Sequence, residues 1–306
     1  MNARMIAILL GLAPLGFSWS QPNSLVLSGH RDGKFAPRAQ GQLLVNDSYL
    51  VDFDGGSGVA FWVHYALLES ECQGPAARSD AFRADGRVLN CPDGQSYRGS
   101  GFDRGHLKPA ADSKSSNAEM RSSFLMTNMA PQSPNLNRGI WKKLEENVRL
   151  WGMMHGEVHV TCGPSDLTQG VLASGIRVPE AFWKVILRAG KDTTCLAFRF
   201  PNAAKVQGEL SDYLVRVDDL EAELGIDLFC DLPDVVEGRI ESELHESVWV
   251  LDAALGMPTT SPHSVKKTSE TAVAVQCMGI ASSTGRRCKK TTKDSSGRCP
   301  HHREKP

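Results

Sequence analysis

The chain has 306 residues, 41% hydrophobic and 23% charged, enough for one large domain or two ordinary ones around a real core. Its formal charge of −1 excludes a bulk polycation, yet the charge is uneven. From Ser264 onward ten Lys or Arg stand against three Asp or Glu, so residues 1–263 carry 24 basic and 32 acidic groups. A polyanion bound by the main body therefore needs a locally basic cleft.

Residues 1–20, "MNARMIAILLGLAPLGFSWS", combine a basic start, an apolar run from Met5 to Phe17 and small residues at Ser18 and Ser20. This reads as a signal peptide cut near Ser20–Gln21, and the apolar run, broken by Pro14, is short for a membrane span. The expected location is secreted or periplasmic, with no membrane attachment after cleavage. The eight cysteines then meet an oxidising compartment where disulfides persist.

Residues 26–256 read as one domain. "SYLVDFD" and "VAFWVHYALLES" are predicted strands, rich in aromatic and β-branched residues and separated by the turn-forming "GGSG". Cys72 and Cys91 close a loop of eighteen residues, where a bridge would be worth about 3 kcal/mol. Next comes "YRGSGFDRGHLKPAAD", Tyr97 to Asp112, which puts Asp103, Arg104 and His106 within four residues among Gly99, Gly101 and Gly105. Three different polar chemistries on glycine-rich backbone suit a site better than a core. Tyr97 and Arg98 either line that site or hold its hairpin, and Lys108 is expected on the surface. "TNMAPQSPNLNRGIW" follows, presenting Asn128, Gln132, Asn135 and Asn137 in a Pro-punctuated loop.

The loop feeds a helix predicted to start near Asn137, with Ile140, Leu144, Val148 and Trp151 recurring at steps of four, four and three. Asn137, Trp141, Glu145 and Arg149 form a second stripe at steps of four, with a Glu145–Arg149 ion pair as its plain structural reading. Asparagine is a neutral oxygen ligand, suited to Mg²⁺ that keeps most of its waters. On one continuous helix Asn137 and Glu145 lie about 12 Å apart, so Glu145 reaches a cation on Asn137 only through a coordinated water.

"EVHVTCGP", "FWKVILRAG" and "TTCLAFRFPN" are further predicted strands, and Cys162 and Cys195, in two of them, form a second expected pair. "SDYLVRVDDLEAELG" is a predicted helix with Ser211 as N-cap and Gly225 past its end. Strands dominate and helices come singly, so the expected class is α+β. Residues 257–275 read as a Pro/Ser/Thr-rich linker and residues 276–303 as a Cys/His-rich module. There Cys277, Cys288, Cys299 and His302 make a complete zinc set, with His301 as alternative ligand. Disulfides, one of them to Cys230, are the competing reading. The cluster of Arg286, Arg287, Lys289, Lys290 and Lys293 suggests contact with polyanions.

The stretch from Tyr97 to Asp112, followed by "MTNMAPQSPNLNRGIWKKLE", resembles the DNA/RNA non-specific endonucleases, whose members include endonuclease G. "RSDAFRAD", "VPEAFWKVIL", "FRFPN" and "LEAELGIDLFCDLPD" extend that resemblance over roughly residues 40 to 235. It implies a ββα-metal fold, in which a β-hairpin feeds a helix, with a mainly antiparallel central sheet flanked by helices. It also implies a sugar-non-specific endonuclease that uses Mg²⁺ or Mn²⁺, with DNA and RNA as substrates. His106 is then the general base and Asn137 the metal ligand. Arg104, Arg78, Asn128 and Gln132 contact or support the phosphate, and Asp103 and Glu145 orient neighbours or the metal's waters. A non-catalytic nucleic-acid binder and a secreted toxin nuclease are the alternatives, and a second copy of the chain and an inhibitor protein are further partner classes.

Overall fold

The computed structural model describes residues 31–165, 167–246, 249 and 251, with two short strands at 275–276 and 291–292. The expected signal segment and the expected zinc ligands Cys277, Cys288, Cys299 and His302 lie outside the described residues, as does most of the expected linker.

The strands of the body are β1 (Gln42–Asn46), β2 (Tyr49–Asp54), β3 (Val59–Leu68), β4 (Asp103–His106), β5 (Met129–Gln132), β6 (Glu157–Ser165), β7 (Gly170–Val171), β8 (Arg177–Val178), β9 (Ala181–Arg188), β10 (Thr194–Pro201) and β11 (Leu214–Val215). Its helices are α1 (Glu69–Cys72), α2 (Asn117–Ser122), α3 (Pro134–Arg138), α4 (Ile140–His155), α5 (Val217–Leu224) and α6 (Asp234–Glu241). Seven strands form one sheet in the order β1-β2-β3-β6-β9-β10-β11, and every pairing in it is antiparallel. β4 pairs with β5, and β7 with β8, as separate two-stranded ribbons. The α+β expectation and the antiparallel sheet are met.

The central strands are buried on both faces, which explains why they read as continuous apolar runs rather than alternating ones. Alternation sorts their side chains. Val63, Tyr65, Val160, Ile186 and Phe198 enter one core with Ile140, Trp141, Leu144, Val148 and Trp151 of α4. Trp62, Trp183, Val185, Leu187 and Ala197 enter the other with Val217, Leu220 and Ile240 of α5 and α6. The sheet is thus sandwiched, with α4 on one face and α5–α6 on the other.

Three local expectations change. The helix expected from Asn137 is two helices, because Gly139 (φ −103°, ψ −114°) interrupts it between α3 and α4. A Cβ at Gly139 would lie 2.4 Å from the Asn135 carbonyl, so the break requires glycine. The helix expected from Ser211 begins instead after Arg216, since Leu214 and Val215 pair with the β10 edge. Its end is as expected, with Gly225 left-handed at φ 64°.

The third concerns cysteine. Cys72, Cys91, Cys162, Cys195 and Cys230 are all free thiols. Cys162 faces the α4 core and Cys195 the opposite core, on strands separated by β9. Strands two apart are about 9.5 Å distant, beyond the reach of a disulfide even without the sheet between the side chains. The Cys72 thiol points to the Leu68 carbonyl and the Cys91 sulfur accepts from the Asp85 amide.

Among the described residues, no helix is long and apolar enough to cross a membrane. A boundary between Met257 and Pro258 separates this body from a second unit, whose described residues form one antiparallel pair, β12 (Val275–Gln276) with β13 (Thr291–Thr292).

Candidate active site

The hairpin of β4 and β5 pairs Asp103 with Gln132, Arg104 with Pro131, Gly105 with Ala130 and His106 with Met129. Gly105 leaves room for the buried Gln132 side chain, since a Cβ there would sit 2.2 Å from Gln132 Oε1 and 2.7 Å from its Cγ. β5 runs through Ser133, which caps α3 by accepting from the Leu136 amide. Asn202, from the "FRFPN" stretch, pins this turn. It accepts from the Ser133 amide at 2.7 Å and donates to the Pro131 and Pro179 carbonyls at 2.9 and 2.8 Å. The hairpin therefore enters the helix in a set direction.

Asp103 sits where hairpin and helix meet. It accepts from Asn137 Nδ2 at 2.9 Å, and from Arg138 Nε and Nη2 at 2.8 and 2.6 Å in a bidentate fork. Burial alone would raise its carboxyl, but the Arg138 and Asn137 hydrogen bonds and the Arg138 charge hold it below the usual range. With its nitrogen committed to Asp103, Asn137 has its amide oxygen left for a ligand.

His106 occupies an aromatic slot. Its ring meets Phe124 edge-on at 4.9 Å and Phe82 at 5.7 Å, and Nε2 is buried without a hydrogen-bond partner. Two guanidiniums cover the same phenyl rings: Arg104 lies 3.9 Å from the Phe82 centroid and Arg78 5.1 Å from that of Phe124. Burial first, then the charges of Arg78 and Arg104, push the imidazole down to about 3, so at neutral pH it is an uncharged acceptor. Arg78 also pairs with Asp80 at 2.7 Å, and Arg104 donates to the Gly94 carbonyl at 3.1 Å. Gly94, Gln95, Tyr97, Arg98, Phe102, Asp103 and Arg104 line a pocket of about 350 Å³. Tyr97 and Arg98 line this pocket beside the hairpin.

The slot is strapped to the body by the 78–85 segment. The Arg83 amide donates to the Phe124 carbonyl at 3.2 Å and the Met126 amide to the Arg83 carbonyl at 2.9 Å. Phe82 is carried in between.

Glu145 projects from α4 into a group of buried charges. Burial pushes its carboxyl up to about 7, against the pull of Lys184 and Arg149. The expected Glu145–Arg149 pair is replaced: Arg149 Nη1 donates to Asp112 Oδ1 at 2.8 Å, and Tyr65 reaches the other Asp112 oxygen at 3.3 Å. That buried ion pair ties the segment after His106 to the helix carrying Glu145. The Lys184 ammonium faces the Trp141 ring at 4.5 Å.

Lys108 behaves differently from expectation, while Asn128 and Gln132 lie beneath the site. Lys108 is fully buried instead of lying on the surface. Its ammonium donates to the Ser48 carbonyl and hydroxyl at 2.7 and 2.8 Å, between the Tyr65 and Tyr49 rings, and burial lowers its pKa. Asn128 is also fully buried, and its amide is spent on backbone: it accepts from the Lys108 amide and donates to the Lys108 and Ser123 carbonyls, each at 2.9 Å. It braces the turn after His106 rather than offering atoms to a substrate. Gln132 is buried under the hairpin with both amide atoms unpartnered. Sequence reasoning missed Phe82, Phe124, Asp112, Arg138 and Lys184. Phe82 and Arg138 stood beside singled-out residues, but nothing in their spacing marks them.

The sequence model of the DNA/RNA non-specific endonucleases matches residues 32–235. The chain is 31% identical over 232 residues to a nuclease of Nostoc sp. (strain PCC 7120), covering 71% of this chain and 83% of that protein. It is likewise 31% identical over 203 residues to mitochondrial endonuclease G of Homo sapiens, covering 60% and 68%. A crystal structure of the EndoG/EndoGI complex superposes with TM-score 0.59 at 24% identity, over 64% of this chain and 89% of that one, which shows the ββα-metal nuclease fold. The chain therefore belongs to the DNA/RNA non-specific endonuclease family and is a nuclease.

Proposed function

We propose that this chain is an exported, Mg²⁺-dependent (or Mn²⁺-dependent), sugar-non-specific endonuclease, with His106 as general base and Asn137 holding the cation. The observation that carries this reading is the uncharged, part-exposed imidazole of His106 at the hairpin, flanked by two guanidiniums. Such an imidazole can take a proton from a water attacking phosphorus, while Arg78 and Arg104 receive the phosphate oxygens.

The family is metal-dependent, and the residues present suit a hard, well-hydrated ion. Asn137 offers a neutral oxygen whose partner nitrogen is anchored to Asp103, and Glu145 serves the ion's hydration shell. Among the described residues near this site, no group of three His, Cys, Asp or Glu converges as a zinc cage would require. When bound, the cation neutralises charge on the transferring phosphoryl group and the departing 3′ oxygen. Contacts to phosphate carry no base sequence, which agrees with non-specific cleavage of DNA and RNA and predicts marked salt sensitivity.

A plasmid-nicking assay over a Mg²⁺ titration tests the reading. His106→Ala should abolish cleavage while leaving DNA binding intact, and cleavage at near wild-type rate would remove His106 as the base. Asn137→Ala should raise the Mg²⁺ requirement steeply, and an unchanged titration would remove it as ligand. Export rests on residues 1–20, and a mature N-terminus at Gln21 is its test. Besides nucleic acid, a second copy of the chain and an inhibitor protein are the partner classes of this proposal, and zinc at Cys277, Cys288, Cys299 and His302 is its reading of the tail.

A further inference from the structure

On the face of the sheet opposite the catalytic hairpin, α5 and α6 bring three carboxylates together. Asp218 and Glu221 stand three residues apart on one face of α5, and Glu241 is the last residue of α6. One oxygen from each lies within 4.8 Å of the others. Glu241 is 5% exposed and its Oε1 has no hydrogen-bond partner. Glu237, one turn earlier on α6, also has a buried, unpartnered Oε1. Among the described residues no Lys or Arg makes an ion pair with Asp218, Glu221 or Glu241; Arg216, near Asp218, is paired with Asp219, and the Leu228 amide donates to Glu221 Oε1 at 2.6 Å. Buried carboxylates ordinarily carry a paired cation or a full set of donors. Glu241, the buried member, has neither.

We propose that Asp218, Glu221 and Glu241 form a divalent-cation site, distinct from the catalytic one, whose natural occupant is Ca²⁺. The donor set is all oxygen, which excludes the softer transition metals as preferred ions. Ca²⁺ takes six to eight oxygens in flexible geometry and readily accepts several protein carboxylates together with water, which fits three carboxylates within 4.8 Å of one another. Mg²⁺ demands near-ideal octahedral geometry, keeps several waters and ordinarily takes only one or two carboxylates, so three protein carboxylates suit it less well. Asp218 is solvent-exposed, giving the ion an entry path and leaving room for water ligands. Leu220 of α5 and Ile240 of α6 enter the same core as Cys195 and Ala197 of β10, so the ion would clip the two helices over that edge of the sheet.

The test uses the full chain stripped with EDTA and titrated with CaCl₂, followed by calorimetric binding and thermal melting. Wild type should bind Ca²⁺ and melt several degrees higher in its presence. Asp218→Asn and Glu241→Gln should each weaken Ca²⁺ binding at least tenfold and lose the rise, while nicking plasmid normally in Mg²⁺. In EDTA, Glu241→Gln should melt at or above wild type, because it removes a buried charge; a variant that had merely misfolded would melt lower. The proposal is overturned by a wild type whose melting ignores Ca²⁺. It is equally overturned by an equal rise at the same Mg²⁺ concentration, or by a Ca²⁺ response unchanged in both variants.

Discussion

The slot around His106 makes a quantitative prediction about acid. The folded imidazole sits at about 3 against an ordinary 6.5, chiefly through burial between Phe82 and Phe124 and then through Arg78 and Arg104. Because the folded value is depressed, the unfolded chain binds a proton that the folded one refuses. This group's contribution to stability is therefore fully present above pH 6.5 and declines as pH falls from 6.5 towards 3. Between pH 7.5 and pH 5 the loss amounts to about 2 kcal/mol. His106→Gln lacks the titration. His64, buried and pushed down to about 4 by the same cause, acts alike in both proteins and cancels in the comparison. Urea unfolding in EDTA at the two pH values, for wild type and variant, isolates the effect. Wild type should lose about 2 kcal/mol more than His106→Gln. Equal losses, within about 0.5 kcal/mol, would mean that the imidazole titrates as in water and that the phenyl rings and guanidiniums do not perturb it. A pH–rate profile is a less direct probe, since Glu145, raised by burial to about 7, titrates over the same limb.

Lys108→Ala, which empties a fully buried site and strands both Ser48 acceptors, should cost about 3–5 kcal/mol, whereas Lys108→Met, which fills the volume, should cost about 1–3 kcal/mol. Denaturant midpoints measure both, and a cost near zero for Ala would return the lysine to the surface. Asn128→Ala leaves one buried amide and two carbonyls unpaired and should cost about 3 kcal/mol with KM for DNA unchanged. A raised KM at unaltered stability would instead make Asn128 a substrate contact. Gly139→Ala drives a Cβ to 2.4 Å from the Asn135 carbonyl and should shift α3, raising the Mg²⁺ requirement in the nicking assay. An unchanged metal titration would show that the break between α3 and α4 does not position Asn137.

Much was legible without coordinates. Residues 49–54, 59–68, 157–165, 181–188 and 194–201 are strands because β-branched and aromatic runs end at turn residues. The stripe of Ile140, Leu144, Val148 and Trp151 is the buried face of α4 because a helix repeats every 3.6 residues. Both signals are local, and so is the residue chemistry of Asp103, Arg104, His106 and Asn137. Partnership is not local. Cys162 and Cys195 are both buried strand thiols, and only the pleat and the intervening β9 place them on opposite faces. Lys108 looked like a surface residue until Ser48, sixty positions earlier, supplied two acceptors. Phe82, Phe124, Arg78 and Arg104 come from three separate stretches, and only tertiary packing stacks them around one imidazole to set its charge. The chain by itself determined periodicity and chemical inventory, because these depend on near neighbours. The tertiary structure alone decided burial, pairing and protonation, because these depend on the medium that distant residues build around each group.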